Sequence, residues 1–310
     1  MNNYIIFGQL FFSTLLYSAI LKNEYIKYRD THYELEKTKK YLEAYIKKEN
    51  IKKPTYDALS EQEKQILANI LIKLKKYNKE LYEFSKKLIL FTKKSNLRNF
   101  ENNIPKLKIY KNKKNKLLMF IKNDYVIGTY EPIINIIKIH DDKKTTLTHE
   151  LLHTSSSNPK YISIGFNTMF NEVETNLKYD EFGRGLNEGY TELLNNRISK
   201  GKSYSYLFLN KIAYLIEQIF ENKEDMKNYY FNNNIEGIIY ELYKYIDEKE
   251  IIELLINIDE LYYTKSILIY FKIKKKLMKI VKENKSEKEI ENFEKEYHNN
   301  HLIKIMRKTL

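Results

Sequence analysis

The chain has 310 residues, with 54 Lys plus Arg against 41 Asp plus Glu, and neither Cys nor Trp. At 43% hydrophobic and 31% charged, with only 8 Gly and 4 Pro, it is not disordered, collagenous or a loop-rich all-β protein. The lack of Cys excludes a disulfide scaffold, Cys-ligated zinc or iron–sulfur sites and a thiol protease.

The formal charge of +13 is uneven along the chain. Residues 1–100 carry 20 basic and 11 acidic side chains, residues 101–200 carry 15 and 12, and the rest carry 19 and 18. A basic excess of this kind suits nucleic acid or an anionic membrane. No RRM, KH or C2H2 signature accompanies it, and acidic residues are interleaved with the basic ones, so no nucleic-acid partner is expected.

Residues 1–21 form an apolar N-terminal segment. Tyr4 to Leu21 is uncharged, and as a helix it would reach about 27 Å, just short of a hydrocarbon core. A cleaved signal peptide fits poorly, because Met1-Asn2-Asn3 has no Lys or Arg and no A-x-A-like site follows. Residues 4–21 then read as a single membrane anchor, or as a buried helix of a cytoplasmic protein. With an anchor, Lys22, Lys27 and Arg29 would hold the body of the chain on the cytoplasmic side.

Residues 22–101 read as a helical region, interrupted at Lys53-Pro54. Ser60 followed by Glu63 is a capping box that starts a helix through Ile66, Leu67, Ile70, Leu71 and Leu74. Residues 102–200 change character. Extended segments are expected at Leu107–Tyr110, Leu117–Ile121, Tyr125–Tyr130 and Ile133–Ile139, which are rich in β-branched and aromatic residues. A helix follows from about Asp142 to Ser155, then a strand over Tyr161–Asn167, a loop to Gly183-Arg184-Gly185, and a helix from near Leu186 past Arg197. Residues 201–310 return to a helical pattern with ordinary apolar stripes. The order predicts an α+β fold: a small sheet with two helices, flanked by helical regions.

The strongest chemical signal is Thr146-Leu147-Thr148-His149-Glu150-Leu151-Leu152-His153. His149 and His153 are four apart, so on a helix they project from one face, one turn apart. That spacing lets two imidazoles hold one zinc ion at about 2.0–2.1 Å each. Glu150 lies one residue round from His149, where it can take a proton from a water at the metal. Leu147, Leu151 and Leu152 cover the opposite side and would bury it.

A third ligand must come from elsewhere. Ser156 and Pro159 stand where a metzincin would have Gly and His, and His32, His140, His298 and His301 are scattered. Glu188 is the better candidate, 35 residues after His153, in Gly185-Leu186-Asn187-Glu188-Gly189-Tyr190-Thr191-Glu192. Glu188 and Glu192 share one face of the second helix. One carboxylate can bind the metal and the other can accept the Nδ1–H of a ligand His.

HExxH followed by NExxxE on a second helix resembles the gluzincin pattern of zinc metallopeptidases, thermolysin-like in the catalytic core. The run with NEGxTE is also similar to bacterial metallopeptidase sequences carrying that segment. The resemblance covers about Tyr125 to Arg197. It implies a zincin-like core, with His149, His153 and Glu188 as Zn2+ ligands, Glu150 as general base and Glu192 as the partner of His149. It gives Ile133–Ile139, with Tyr130, Glu131, Pro132 and Asn135 at or in it, the role of an edge strand that pairs with an extended peptide. Among downstream residues, Tyr190, Tyr204, Tyr206 and Tyr229 are the candidates for an oxyanion-stabilising group.

The function expected from this reading is zinc-dependent hydrolysis of a peptide or protein substrate through a zinc-activated water. The alternative is a catalytically silent zincin-like scaffold or binding protein with a structural zinc site.

Overall fold

The computed structural model describes residues 35–47, 51–55, 59–92, 97–112, 127–160, 163–170, 180–199, 206–285 and 289–290. The apolar run 4–21, the strand expected at Leu117–Ile121, and Tyr204, His298 and His301 lie outside these residues. Among the described residues, no helix is long and apolar enough to cross a membrane.

The fold is mixed helix and sheet, with helix predominating. Helix α1 covers residues 35–47. Helix α2 (Glu61–Tyr77) starts at the capping box: Ser60 Oγ accepts from Glu63 N at 3.2 Å, and Glu63 Oε2 accepts from Ser60 N at 2.8 Å. Its expected stripe is only partly buried, because Leu67 and Leu74 enter the core while Ile66 faces solvent. Asn78 caps helix α3 (Lys79–Phe91) through its side chain, and the short α4 (Arg98–Asn103) leads into the sheet.

The sheet has three strands in the order β1–β3–β2, where β1 is Lys108–Lys111, β2 is Gly128–Glu131 and β3 is Ile136–Ile139. β1 pairs parallel with β3 from Lys108↔Ile136, and β2 pairs antiparallel with β3 from Gly128↔Ile139. The expected edge strand at Ile133–Ile139 is thus corrected. Its strand portion takes hydrogen bonds on both sides and is central, and among the described residues β1 and β2, the latter with Tyr130 and Glu131, are the two outer strands. Pro132 falls in the connecting turn, and Asn135 takes a positive φ of 54° there. Ile137 and Ile139 are buried while Lys138 between them is exposed, the period of two that lays one sheet face on a helix.

That helix, α5 (Lys144–Ser155), carries the HExxH run. It is not amphipathic in the expected sense, because every residue from Thr146 to Ser155 is buried. A helix this polar can sit inside the protein because its hydroxyls bond back along the chain. Thr148, Thr154 and Ser155 donate to the carbonyls of Lys144, Glu150 and Leu151 at 2.9, 2.9 and 2.7 Å. Asn103 closes its far end, donating to Thr154 O and Ser157 O at 2.9 and 2.7 Å.

After α5 come two short antiparallel pairs, β4 (Ser157–Asn158) with β5 (Ser163–Ile164), and β6 (Thr168–Phe170) with β7 (Asp180–Phe182). Of the strand expected over Tyr161–Asn167, residues 161 and 162 lie outside the described ones, and β5 ends at Ile164, where Gly165 turns the chain with φ 55°.

Helix α6 (Arg184–Ser199) carries Glu188 and Glu192. It packs on α5, on α7 (Leu207–Glu217) and on α10 (Glu248–Thr264). Helices α8 (Lys223–Phe231), α9 (Ile235–Tyr243) and α11 (Ile267–Asn284) complete the C-terminal part. Gly189 lets α7 come close: a Cβ there would lie 2.4 Å from Leu209 O. The same two helices are clamped by Arg197, whose guanidinium donates to both oxygens of the fully buried Glu217 carboxylate at 2.7 and 2.6 Å. One apolar cluster runs from Leu42 through the sheet and α5 to Val281.

Candidate metal centre

Two buried helices bring the site together. On α5, His149 and His153 stand one turn apart with ring centroids 4.7 Å apart and planes at 77°. Their Nε2 atoms are 3.0 Å apart. From α6, Glu188 Oε2 lies 3.2 Å from His149 Nε2 and 3.5 Å from His153 Nε2. These three residues form the group able to hold a metal ion among the described residues.

The spacing fits a small divalent cation. A tetrahedral ion with bonds of about 2.0–2.1 Å has ligand atoms about 3.3 Å apart, and the three donors here are separated by 3.0, 3.2 and 3.5 Å. Two imidazoles and a carboxylate also suit zinc by donor chemistry, without being specific to it.

Glu192, one turn beyond Glu188, reaches the other nitrogen of the first imidazole: its Oε2 is 3.2 Å from His149 Nδ1. A carboxylate only accepts, so Nδ1 carries the hydrogen and Nε2 faces the shared position. Asn195 Nδ2 donates to the same Oε2 at 3.3 Å. Asn187, beside Glu188, accepts from Phe166 N at 3.2 Å and brings its amide to 3.5 Å from His153 Nδ1.

Glu150 faces the sheet side of the site, where Gly128 of β2 leaves room for it. A Cβ on Gly128 would lie 2.8 Å from Glu150 Oε1 and 2.8 Å from Thr146 Cγ2. Burial pushes the Glu150 carboxyl pKa up, against the opposing pull of His149 and His153. Burial also works against the charged form of His149, yet the carboxylates of Glu188 and Glu192 outweigh it and hold its pKa at about 10. Glu188 stays well below the usual carboxylate range despite its burial, because His153 and His149 lie against it. Three carboxylates meet in one buried site, and a proton on His149 or a divalent cation answers their charge.

Of the tyrosines singled out from the sequence, Tyr206 is at the site, its ring stacked on His149 at 5.7 Å and 24°. Tyr190 is in the core, its hydroxyl donating to Glu217 at 3.4 Å, and Tyr229 packs there against Phe220. His140 stands apart, its Nδ1 3.0 Å from Asn112 O.

Two residues that position the site escaped sequence reasoning. Gly128 gave no signal, since its role depends on the strand lying over Glu150. Asp259 on α10 is buried and accepts from Gly183 N and Gly185 N at 2.9 and 2.7 Å, anchoring the start of the helix that carries Glu188. Its signal was a lone acid within the apolar stripe of Leu254, Leu255 and Ile258. No family model matches the chain, and neither does any curated protein or solved structure.

Proposed function

We propose that the chain is a zinc-dependent metallopeptidase with a zincin-like, gluzincin-type core. The observation that carries this reading is the convergence of His149, His153 and Glu188 on one position, with Glu150 beside them and Glu192 behind His149. In this reading His149 Nε2, His153 Nε2 and Glu188 hold the ion. A bound zinc ion supplies Lewis acidity, which polarises a scissile carbonyl and acidifies water.

The chain's own residues do the rest. Glu192 fixes the tautomer and ring orientation of His149. Glu150, at the sheet side, accepts a proton from the attacking water on its carboxylate and returns it to the leaving amine. Burial raises its pKa, the direction that favours holding a proton taken from water until it is handed on. Among the described residues β2, whose Gly128 faces Glu150, pairs only with β3, and its other edge suits an extended peptide added as a further strand.

A second reading draws on burial. His149, Glu150 and His153 are 8%, 6% and 6% exposed, and so closed a site suits a structural ion in a catalytically silent scaffold. Hydrolysis decides between them. The zinc-loaded chain is incubated with a mixed peptide library beside its Glu150→Gln variant. The peptidase reading expects cleavage by the first and a loss of at least about a hundredfold in the second, with zinc retained. Zinc in both and cleavage by neither favours the scaffold.

A further inference from the structure

Helix α11 buries one face and leaves the opposite one in solvent. Tyr270, Ile273, Leu277, Ile280 and Val281 enter the core. On the other side Leu268, Phe271, Lys272, Lys275, Lys279 and Lys282 are exposed. At 3.6 residues per turn and 1.5 Å per residue, these six side chains fall within an arc of about 100° and make one ridge roughly 21 Å long. Its two ends differ in chemistry. At the head of the helix Leu268 is 77% exposed, Phe271 49% and the neighbouring Ile267 44%, an apolar cluster that faces water. The remainder of the ridge is cationic.

Helix α11 carries six lysines and one acid, Glu283. Lys272 and Lys276 meet Glu253 and Glu250 of α10 at 2.7 and 3.2 Å, and Lys279 lies 3.8 Å from Glu283. In the Lys272 and Lys279 pairs more than half of each side chain is exposed, so solvent and salt screen them. Attraction to a charged bilayer acts on surplus positive charge and does not need idle donors. Nucleic acid would use the lysines but has no apolar phase for Leu268 and Ile267. A bilayer with anionic headgroups uses both ends of the ridge: its phosphates attract the lysines, and the boundary with its acyl chains takes the apolar side chains. Lysine stems can lie along that boundary while the ammonium stays in water.

We propose that the exposed ridge of α11 is a docking face for an anionic lipid bilayer. Leu268 and Phe271 enter the headgroup boundary, and Lys272, Lys275, Lys279 and Lys282 face the headgroup phosphates. The contact is peripheral, since the other face of the helix stays packed on the core. It depends neither on the metal centre nor on residues 4–21.

The chain contains no Trp, so Phe271→Trp and, separately, Leu268→Trp place a single reporter on the ridge at positions exposed enough to tolerate it. Each full-length variant, checked for unchanged helical content, is titrated with vesicles of phosphatidylcholine alone and with vesicles in which about a third of the lipid is phosphatidylglycerol. The expected result is a blue-shifted emission, quenched by brominated acyl chains, with the anionic vesicles only. Adding Lys275→Gln should raise the lipid concentration needed for the shift about fivefold, and adding Lys275→Gln with Lys279→Gln about twenty-fivefold, as the loss of one and two surface charges does. Adding Leu268→Ser to the Phe271→Trp chain should raise it about tenfold. Attachment through residues 4–21 alone would bring the chain to both kinds of vesicle and leave the tryptophan in water. Emission that stays that of exposed tryptophan in both reporters, an equal shift with neutral vesicles, or a shift unaltered by the double Lys→Gln change overturns the proposal. So does a shift that grows with protein concentration in the absence of lipid, which would assign the ridge to a second copy of the chain. A shift produced by DNA or RNA oligonucleotides but not by vesicles overturns it in favour of nucleic acid.

Discussion

Glu192 Oε2 lies 3.2 Å from His149 Nδ1, on the side of the ring opposite Glu188, which meets Nε2 at the same distance. The two carboxylates, one turn apart on α6, thus grip a single imidazole from both ends. The outer one sets which nitrogen faces the position that could hold a metal ion. Glu192→Gln is expected to weaken zinc affinity ten- to a hundredfold, the usual range for such outer partners. Competition against a chelator measures it, and an unchanged affinity would remove Glu192 from the site.

Gly128 makes a prediction specific to Glu150. Gly128→Ala puts a methyl group 2.8 Å from Glu150 Oε1, so the carboxylate must move while the three candidate ligands stay in place. Zinc content should be unchanged and hydrolysis should fall by about tenfold or more, as misplacement of a reacting group does. Peptide turnover beside metal content checks this, and full turnover in the variant would contradict it.

Gly189→Ala acts on the fold. The new Cβ would lie 2.4 Å from Leu209 O, on the backbone of α7, which cannot rotate away. The expected cost is about 1–3 kcal/mol of stability, read as a lower denaturation midpoint with unchanged slope.

These positions show how far the sequence could be read. The capping box at Ser60 and Glu63, the helix over His149 and His153, and the helix over Glu188 and Glu192 were legible, because spacing and caps are local. The central place of β3 was not, since its parallel pairing with β1 joins residues 28 apart, Lys108 with Ile136. Nor was the burial of α5 from Thr146 to Ser155, which depends on threonine and serine hydroxyls closing onto carbonyls four residues back. The meeting of Gly128 with Glu150 is a contact between strand and helix that no run of residues encodes.

Asp259 gives a pH dependence. Burial outweighs its two backbone N–H partners and raises its carboxyl pKa from 3.8 to about 7. A raised folded-state pKa favours the protonated form in the fold. Its stabilisation is complete below about pH 4 and is lost as pH rises through about 7. The shift of roughly three units corresponds to about 4 kcal/mol at most. Asp259→Asn should remove this slope, so the stability of the wild type relative to the variant should fall between about pH 4 and 7. Denaturant midpoints at a series of pH values measure it, and parallel curves would show that Asp259 does not titrate in that window.

Two imidazoles and a carboxylate, from His149, His153 and Glu188, share one position able to hold a metal ion. Elemental analysis of the purified wild-type chain, beside His149→Ala and Glu188→Ala, tests it directly. One zinc per wild-type chain, and little or none in either variant at unchanged helical content, is the predicted result. A wild-type chain that takes up no zinc when supplied with it, or variants that hold as much as the wild type, would contradict it.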